Sequence, residues 1–215
     1  MEQHLSGRRG QAARNDERIL AAARDVFTVD SDAPISAVAT RAGVGISALY
    51  RRYPSKEDLQ RQLCRDGLRL YVEEAEAAIA DDGDPWQAFA GFLRRIVAAD
   101  VHSLTVRLAG TFTPTEDMFA DAARSGELNE LLIARTRAKG GLRDDVGSED
   151  LALILEMVAA IRPGVFGDDE RTNELRQRYL SLCLDGLKGG VTPLGGTPPT
   201  EGELGRRWAR RAAPG

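Results

Sequence analysis

Residues 34–59 read PISAVATRAGVGISALYRRYPSKEDL, and the fold turns on them. Pro34 pre-sets φ for a helix start. Ile35, Val38, Ala39 and Ala42 then recur at i, i+3, i+4 and i+7, the spacing of one buried helical face. Gly43-Val44-Gly45 interrupts after two turns, and a second short helix is predicted from Ile46 to about Tyr53, closed by Pro54. Two short helices around a glycine-containing turn are what a helix-turn-helix requires, because glycine takes a positive φ at little steric cost. Leu49 is predicted to point back into a three-helix core with Val44, leaving Ser47, Ala48, Tyr50 and Arg51 on other faces. A helix this short enters a DNA major groove end-first, with its first residues at the base edges and its end near the backbone.

Outward from this stretch, apolar periodicity continues as helix. Ile19, Leu20, Ala23, Val26 and Phe27 define a first helix over 15–29, with Asp16 and Glu17 in its first turn, where the dipole favours acids. Ser55 with Asp58 three residues on predicts a capping box opening a long fourth helix that runs to about Ala80. Asp84-Pro85 reads as N-cap and N1 of a helix through about Val101, and a shorter element follows over 102–110. Helical pattern returns over 115–123 and again over 127–139, stopped by Gly140-Gly141. Ser148 opens a strongly apolar helix through about Arg162, and the last helix spans about 169–186. Beyond Gly189 the chain is rich in Gly, Pro and Thr and then basic, the composition of a mostly disordered tail. The expectation is an all-α chain of about nine to ten helices: an N-terminal arm and helix-turn-helix over 1–54, a helical body over 55–188, and the tail over 189–215.

The 215 residues carry 29 Lys+Arg against 33 Asp+Glu, a net charge of −4 that by itself argues against a nucleic-acid binder. The average conceals an uneven distribution. Residues 1–56 hold nine basic and six acidic side chains, and between Pro34 and Lys56 there are four cations (Arg41, Arg51, Arg52, Lys56) and no acid. Residues 57–205 hold sixteen basic and twenty-seven acidic groups, so the body carries a net −11. A local basic face suffices for phosphate binding, and an acidic remainder stays off the duplex. Arg8, Arg9 and Arg14 fit a minor-groove arm or an unstructured end, and Arg206, Arg207, Arg210 and Arg211 around Trp208 fit an unstructured tail better than a second nucleic-acid contact.

Other functions are disfavoured by what the composition lacks. Two histidines and two isolated cysteines, Cys64 and Cys183, offer neither metal spacing nor a disulfide framework. No nucleophile–base pair or phosphate loop is found; Glu156 is the one carboxylate set within an apolar helix. The chain is expected not to be an enzyme, with no cofactor and no metal. No apolar run approaches the roughly 20 residues that span a bilayer. The polar first residues carry no secretory signal. A cytoplasmic protein is expected.

Residues 15–59 resemble the DNA-binding domain of TetR-family transcriptional regulators. The match is carried by R-I-L-A-A-A…V-F in the first helix and by V-A-T-R-A-G-V-G-I-S-A-L-Y-R-R-Y-P-S-K-E-D-L over 38–59; the segment G-L-R-D-D-V over 141–146 is also family-like. The resemblance implies base-edge contacts from Ile46, Ser47 and Tyr50. It implies phosphate contacts from Ser36, Tyr50, Arg52 and Lys56, the last sitting where ammonium and helix N-terminus grip one phosphate together. Arg51 suits either guanine or phosphate. Gly45 and Ala48 stand where many members have Ser or Thr, so Ala48, on the DNA-binding face, forfeits a phosphate hydroxyl.

The resemblance also implies a dimer on a palindromic double-stranded operator, with a four-helix interface built from the last two helices. Leu151, Leu155 and Val158 on one side of the penultimate helix, and Leu175, Tyr179, Leu182 and Cys183 on the last, are the candidates; Leu153, Met157, Ala160 and Ile161 form the penultimate helix's other apolar side. A small apolar effector is expected between the middle helices, walled by Trp86, Phe89, Phe92, Leu93, Ile96, Phe112, Met118, Phe119 and Leu132 and oriented by His102, Arg107 and Arg162. Gly67 is either a weak point of the fourth helix or a close helix contact. The leading expectation is a ligand-released repressor. The alternatives are a DNA-binding regulator without an effector, answering to another protein or to oxidation of Cys64, and a helical enzyme.

Overall fold

Every element in the computed structural model is a helix: α1 (Glu2–Val29), α2 (Ile35–Ala42), α3 (Ile46–Arg52), α4 (Lys56–Ala80), α5 (Pro85–Ala98), α6 (Val101–Leu108), α7 (Glu116–Ala138), α8 (Ser148–Ala159), α9 (Asp169–Leu187) and α10 (Glu201–Gly205). The structure describes residues 2–165, 167–189 and 192–206, with 2–13 and 201 described by backbone alone, and no strand occurs among them. Arg207, Trp208, Arg210, Arg211 and the side chains of Arg8 and Arg9 lie outside what is described.

Two hydrophobic cores organise the chain. The first unites Ile19, Ala23 and Phe27 of α1, Val38 of α2 and Leu49 of α3 with Leu59, Leu63 and Cys64 of α4. Leu104 and Leu108 of α6, then Phe112 and Met118, belong to this same core, so α6 is packed into the reader itself. The second core centres on α5, whose Phe89, Phe92, Leu93 and Ile96 are fully buried among α7, α8 and α9. Helix α4 crosses from one to the other, contributing Ala75 and Ala78 to the second core over a length of about 37 Å. It opens as predicted, with the Ser55 hydroxyl accepting from the Asp58 N–H at 3.0 Å. Asp84 caps α5 likewise, accepting from the Gln87 N–H at 2.8 Å.

The elements depart from the sequence expectations in a few places. Helix α1 begins at Glu2, not near Asn15, and α5 ends at Ala98. The two segments expected over 115–123 and 127–139 are one continuous helix, α7. Arg124-Ser125-Gly126 reads as a break, but Arg124 is held by Glu76 of α4 and by Glu127, while Met118 is buried in the first core and Leu128 and Leu132 in the second, on either side of it. Such burial outweighs the cost of about 1 kcal/mol for a mid-helix glycine. Within the tail expected to be mostly disordered, residues 192–206 are described and include α10, opened by a Thr200/Glu203 capping box. Arg143 also donates to the Thr192 carbonyl at 2.7 Å, and Asp145 accepts from the Leu194 N–H at 2.9 Å.

Candidate DNA interface and effector cavity

The reader face is built by the turn between α2 and α3. Gly43 takes φ 62°, and its N–H closes onto the Thr40 carbonyl at 3.1 Å. A Cβ here would meet Arg18 Nη2 at 2.9 Å, and that same nitrogen caps α2 by donating to the Ala42 carbonyl at 2.6 Å. Glycine is therefore favoured by φ, while a Cβ would displace only the flexible end of Arg18 and its bond to the Ala42 carbonyl. Leu49 is fully buried, which turns the rest of α3 outward. Ile46 (40% exposed) and Tyr50 (47% exposed) project as large apolar groups on a surface where they have no core to join. Ser47 and Arg51 are exposed beside them, Ala48 is half-buried, and Ser36 is exposed in the first turn of α2. Neither α2, N-capped by Pro34, nor α3, N-capped by Gly45, has a side-chain hydrogen bond at its N-terminus.

Charge on this face is more selective than the acid-free run suggests. Arg41 pairs with Asp25 at 2.8 Å, and Arg52 binds Asp16 through Nε (2.9 Å) and Nη2 (2.7 Å), while the Tyr53 hydroxyl donates to Asp16 at 2.7 Å. The Arg52 hydrogen bond holds the Asp16 carboxyl below the ordinary carboxylate range, and burial followed by the Asp16 bond pushes the Tyr53 phenol up. Arg52, expected to contact phosphate, ties α3 to α1 through this pair, with its side chain still 62% exposed. Lys56, half-buried in the first turn of α4, places its ammonium 5.7 Å from the centre of the Phe27 ring. The Arg51 side chain makes no hydrogen bond or ion pair among the described residues.

A cavity of about 340 Å³ lies between α4, α6, α7 and α8. Its wall is apolar, from Leu68 and Val101 to Met118, Phe119, Ala152 and Leu155, with Tyr71, His102, Thr105, Ser125 and Asn129 as polar groups. Among the described residues no Asp, Glu, Lys or Arg lines it. The Tyr71 hydroxyl donates to Asn129 Oδ1 at 2.9 Å, its ring meets Phe92 edge-on at 5.1 Å, and burial pushes its phenol up to about 12. Gly67 lets α6 approach: a Cβ there would stand 3.3 Å from Val101 Cγ1, so the close-contact reading of this glycine holds. Cys64 also lines the cavity, but burial pushes its thiol up to about 12, which disfavours the thiolate that oxidation needs.

Of the expected ligand residues, His102, Met118 and Phe119 reach the cavity. Phe89, Phe92, Leu93, Ile96, Phe112 and Leu132 do not, because they fill the two cores, and Trp86 instead packs against Phe89 and the Lys188 ammonium. Arg107 and Arg162 are also absent from the wall. Tyr71 and Asn129 were not anticipated; the spacing of Leu68 and Tyr71 after Leu63 and Cys64 marks an α4 face, without telling which partner that face meets.

The dimer candidates divide in the same way. Leu151, Leu155 and Val158 are buried in the protomer's own core, so the first two have no surface to offer a second copy, and Val158 only edges a groove. Exposed instead are Leu153, Met157 (59%), Tyr179 and Leu182 (60%). Met157, Ile161, Leu175, Tyr179, Leu182 and Cys183 line one groove along α8 and α9.

Among the described residues no helix is long and apolar enough to cross a membrane, and no group of His, Cys, Asp and Glu is placed to hold a metal. No curated protein matches the chain. A family model described as bacterial regulatory proteins, tetR family, matches residues 19–63, and one described as transcriptional regulator SbtR-like, C-terminal domain, matches residues 84–189. The chain is similar to the solved TetR transcription regulatory protein from Mycobacterium vanbaalenii, with 26% identity, a TM-score of 0.53, and coverage of 84% of this chain and 98% of that one. The TetR transcriptional regulator SCO0520 from Streptomyces coelicolor is also 26% identical, with a TM-score of 0.55 and coverage of 81% and 99%. The TetR family protein CprB from S. coelicolor A3(2), at 17% identity, shares the fold, with a TM-score of 0.60 over 84% and 92%. With a helix-turn-helix reader matched at one end and a regulator's helical body at the other, the chain belongs to the TetR family of transcriptional regulators.

Proposed function

We propose that this regulator is a dimeric repressor that leaves a palindromic operator when a small, uncharged, largely apolar effector fills the α4–α6–α7–α8 cavity. The observation that carries the DNA reading is the outward face of α3, where Ile46, Ser47, Tyr50 and Arg51 stand exposed between two helix N-termini without side-chain caps. Free N–H groups at such ends bind phosphate, and short side chains and a tyrosine beside them reach base edges. Ser36 and Lys56 flank that face as backbone contacts. The exposed groove of α8 and α9 supports a two-fold dimer, which sets two readers on successive half-sites.

Release follows from the shared residues of cavity and reader. Met118 lines the cavity and is buried in the reader core, and α6 contributes to both. An effector that prefers a shifted α6 lowers operator affinity by its differential binding to the two states, typically about 1–3 kcal/mol. The test is selection of bound duplexes from a randomised pool. A two-fold symmetric motif is expected, bound at least tenfold more weakly by Tyr50→Ala. Enrichment of no motif, or unchanged affinity in Tyr50→Ala, would overturn the reading.

A further inference from the structure

Arg107 of α6 and Arg162, just past the end of α8, are expected in the effector cavity; instead the charges of Arg162 and of Arg176 on α9 bear on Arg107. Arg176 is only 5% exposed. Its Nε donates to the Ile161 carbonyl at 2.9 Å, one residue before Arg162, and its Nη1 pairs with Asp100 at 2.6 Å. Its Nη2 is buried with no hydrogen-bond partner among the described residues. The side chains of Arg107, half-buried, and Arg162, exposed, make no hydrogen bond or ion pair among the described residues either. Burial first, then the charges of Arg162 and Arg176, holds Arg107 below the ordinary arginine range, with Asp100 as the opposing acid. Asp100 is already engaged twice, by Arg176 and by the Ser103 hydroxyl, and stands at φ 52° as the N-cap of α6. Arg107, Arg162 and Arg176 outnumber Asp100, the acid that acts on Arg107, and the Arg176 Nη2 group is left buried without a counterpart among the described residues. A buried donor left unmet is costly, and like charges in a partly desolvated site repel.

We propose that this arginine triad is a binding site for a small oxyanion, of the carboxylate or phosphate type that the planar guanidinium fork recognises. The anion enters from the side of Arg162 and Arg107 and takes the unmet N–H groups, tying α6 to α8 and α9. Because α6 also belongs to the reader core, occupancy is coupled to the reader, separately from the apolar cavity.

The test is the thermal midpoint of the full chain in increasing inorganic phosphate, and in a parallel series with citrate, each against sodium chloride at matched ionic strength. A saturable rise beyond the chloride control is expected with one or both oxyanions, about 3–6 °C at tenfold saturation, and the stronger response identifies which type the site takes. Arg176 is buried and ion-paired, so the variants are Arg107→Gln and Arg162→Gln, each expected to lose most of that rise while keeping its helical circular dichroism. Arg51→Ala, which removes a cation from the DNA face, is expected to respond like wild type. No rise beyond chloride with either oxyanion, an undiminished rise in both triad variants, or a rise lost in Arg51→Ala overturns the proposal.

Discussion

At the scale of residues, the basic character of the reader proves to be divided between structure and surface. Four cations and no acid between Pro34 and Lys56 suggest a uniformly positive face, yet Asp16 and Asp25 of α1, distant in sequence, return to neutralise Arg52 and Arg41. The Arg51 side chain is left exposed and without an acidic partner among the described residues. Arg51→Ala is expected to weaken operator binding by about 1–3 kcal/mol if it reads guanine. If it binds phosphate, affinity falls evenly across sequences and the salt slope drops by about one, so anisotropy titrations at several salt concentrations separate the two roles. Asp16 gives a different signature. Its carboxyl titrates lower in the folded chain than the ordinary 3.8, so its contribution is present above that value and is lost as pH falls through the depressed one. Asp16→Asn is therefore expected to lower stability by about 1 kcal/mol at pH 7, a figure reduced by solvent at the exposed Arg52, with the gap to wild type closing below pH 4 in thermal melts. A gap that persists in acid would show that the tie is not ionic.

At the scale of elements, caps and short-range spacing are well determined by local chemistry. Ser55, Asp84 and Pro85 open α4 and α5 where their side chains dictate, and Gly43 ends α2. Helix α7 is the instructive exception. Its glycine and serine break the local pattern, but α4 alongside supplies a partner for Arg124 and a surface for Leu128 and Leu132. Gly126 is inside this helix, and nothing lies within 4 Å of where its Cβ would be. Gly126→Ala is thus expected to stabilise the chain by about 0.5–1 kcal/mol, read as a higher thermal midpoint. A lower midpoint would mean that the chain bends at 124–126. Helix α5 shows the opposite confusion: its aromatic residues look like a ligand wall and are in fact the centre of the body's core, because all its neighbours close over it.

At the scale of the whole molecule, function depends on which faces the packing leaves open. Helices α8 and α9 each carry more apolar surface than one contact needs, and burial of Leu151 and Leu155 assigns Met157 and Leu182 to the outside. Light scattering at micromolar concentration is expected to give twice the 23.3 kDa chain mass, and Met157→Arg with Leu182→Arg to give the single mass with the thermal transition retained. A double variant that stays dimeric would move the interface elsewhere. Helix α6 gives Val101, His102 and Thr105 to the cavity and Leu104 and Leu108 to the reader core, and its N-cap Asp100 pairs with Arg176 of α9.

The sequence by itself determined the all-helical class, the reader and its glycine turn, the helix caps, and the residues of α3 that face away from Leu49. These depend on interactions within a few residues, where spacing along the chain is also spacing in space. Only the tertiary structure decided that α4 spans both cores, that the cavity is lined by Tyr71 and Asn129 instead of α5, that Arg52 pairs with Asp16, and that Arg176 is buried against Asp100 and the Ile161 carbonyl. Each of these rests on which of several apolar or charged faces of a helix meets which neighbour, and periodicity marks the faces without naming the partner.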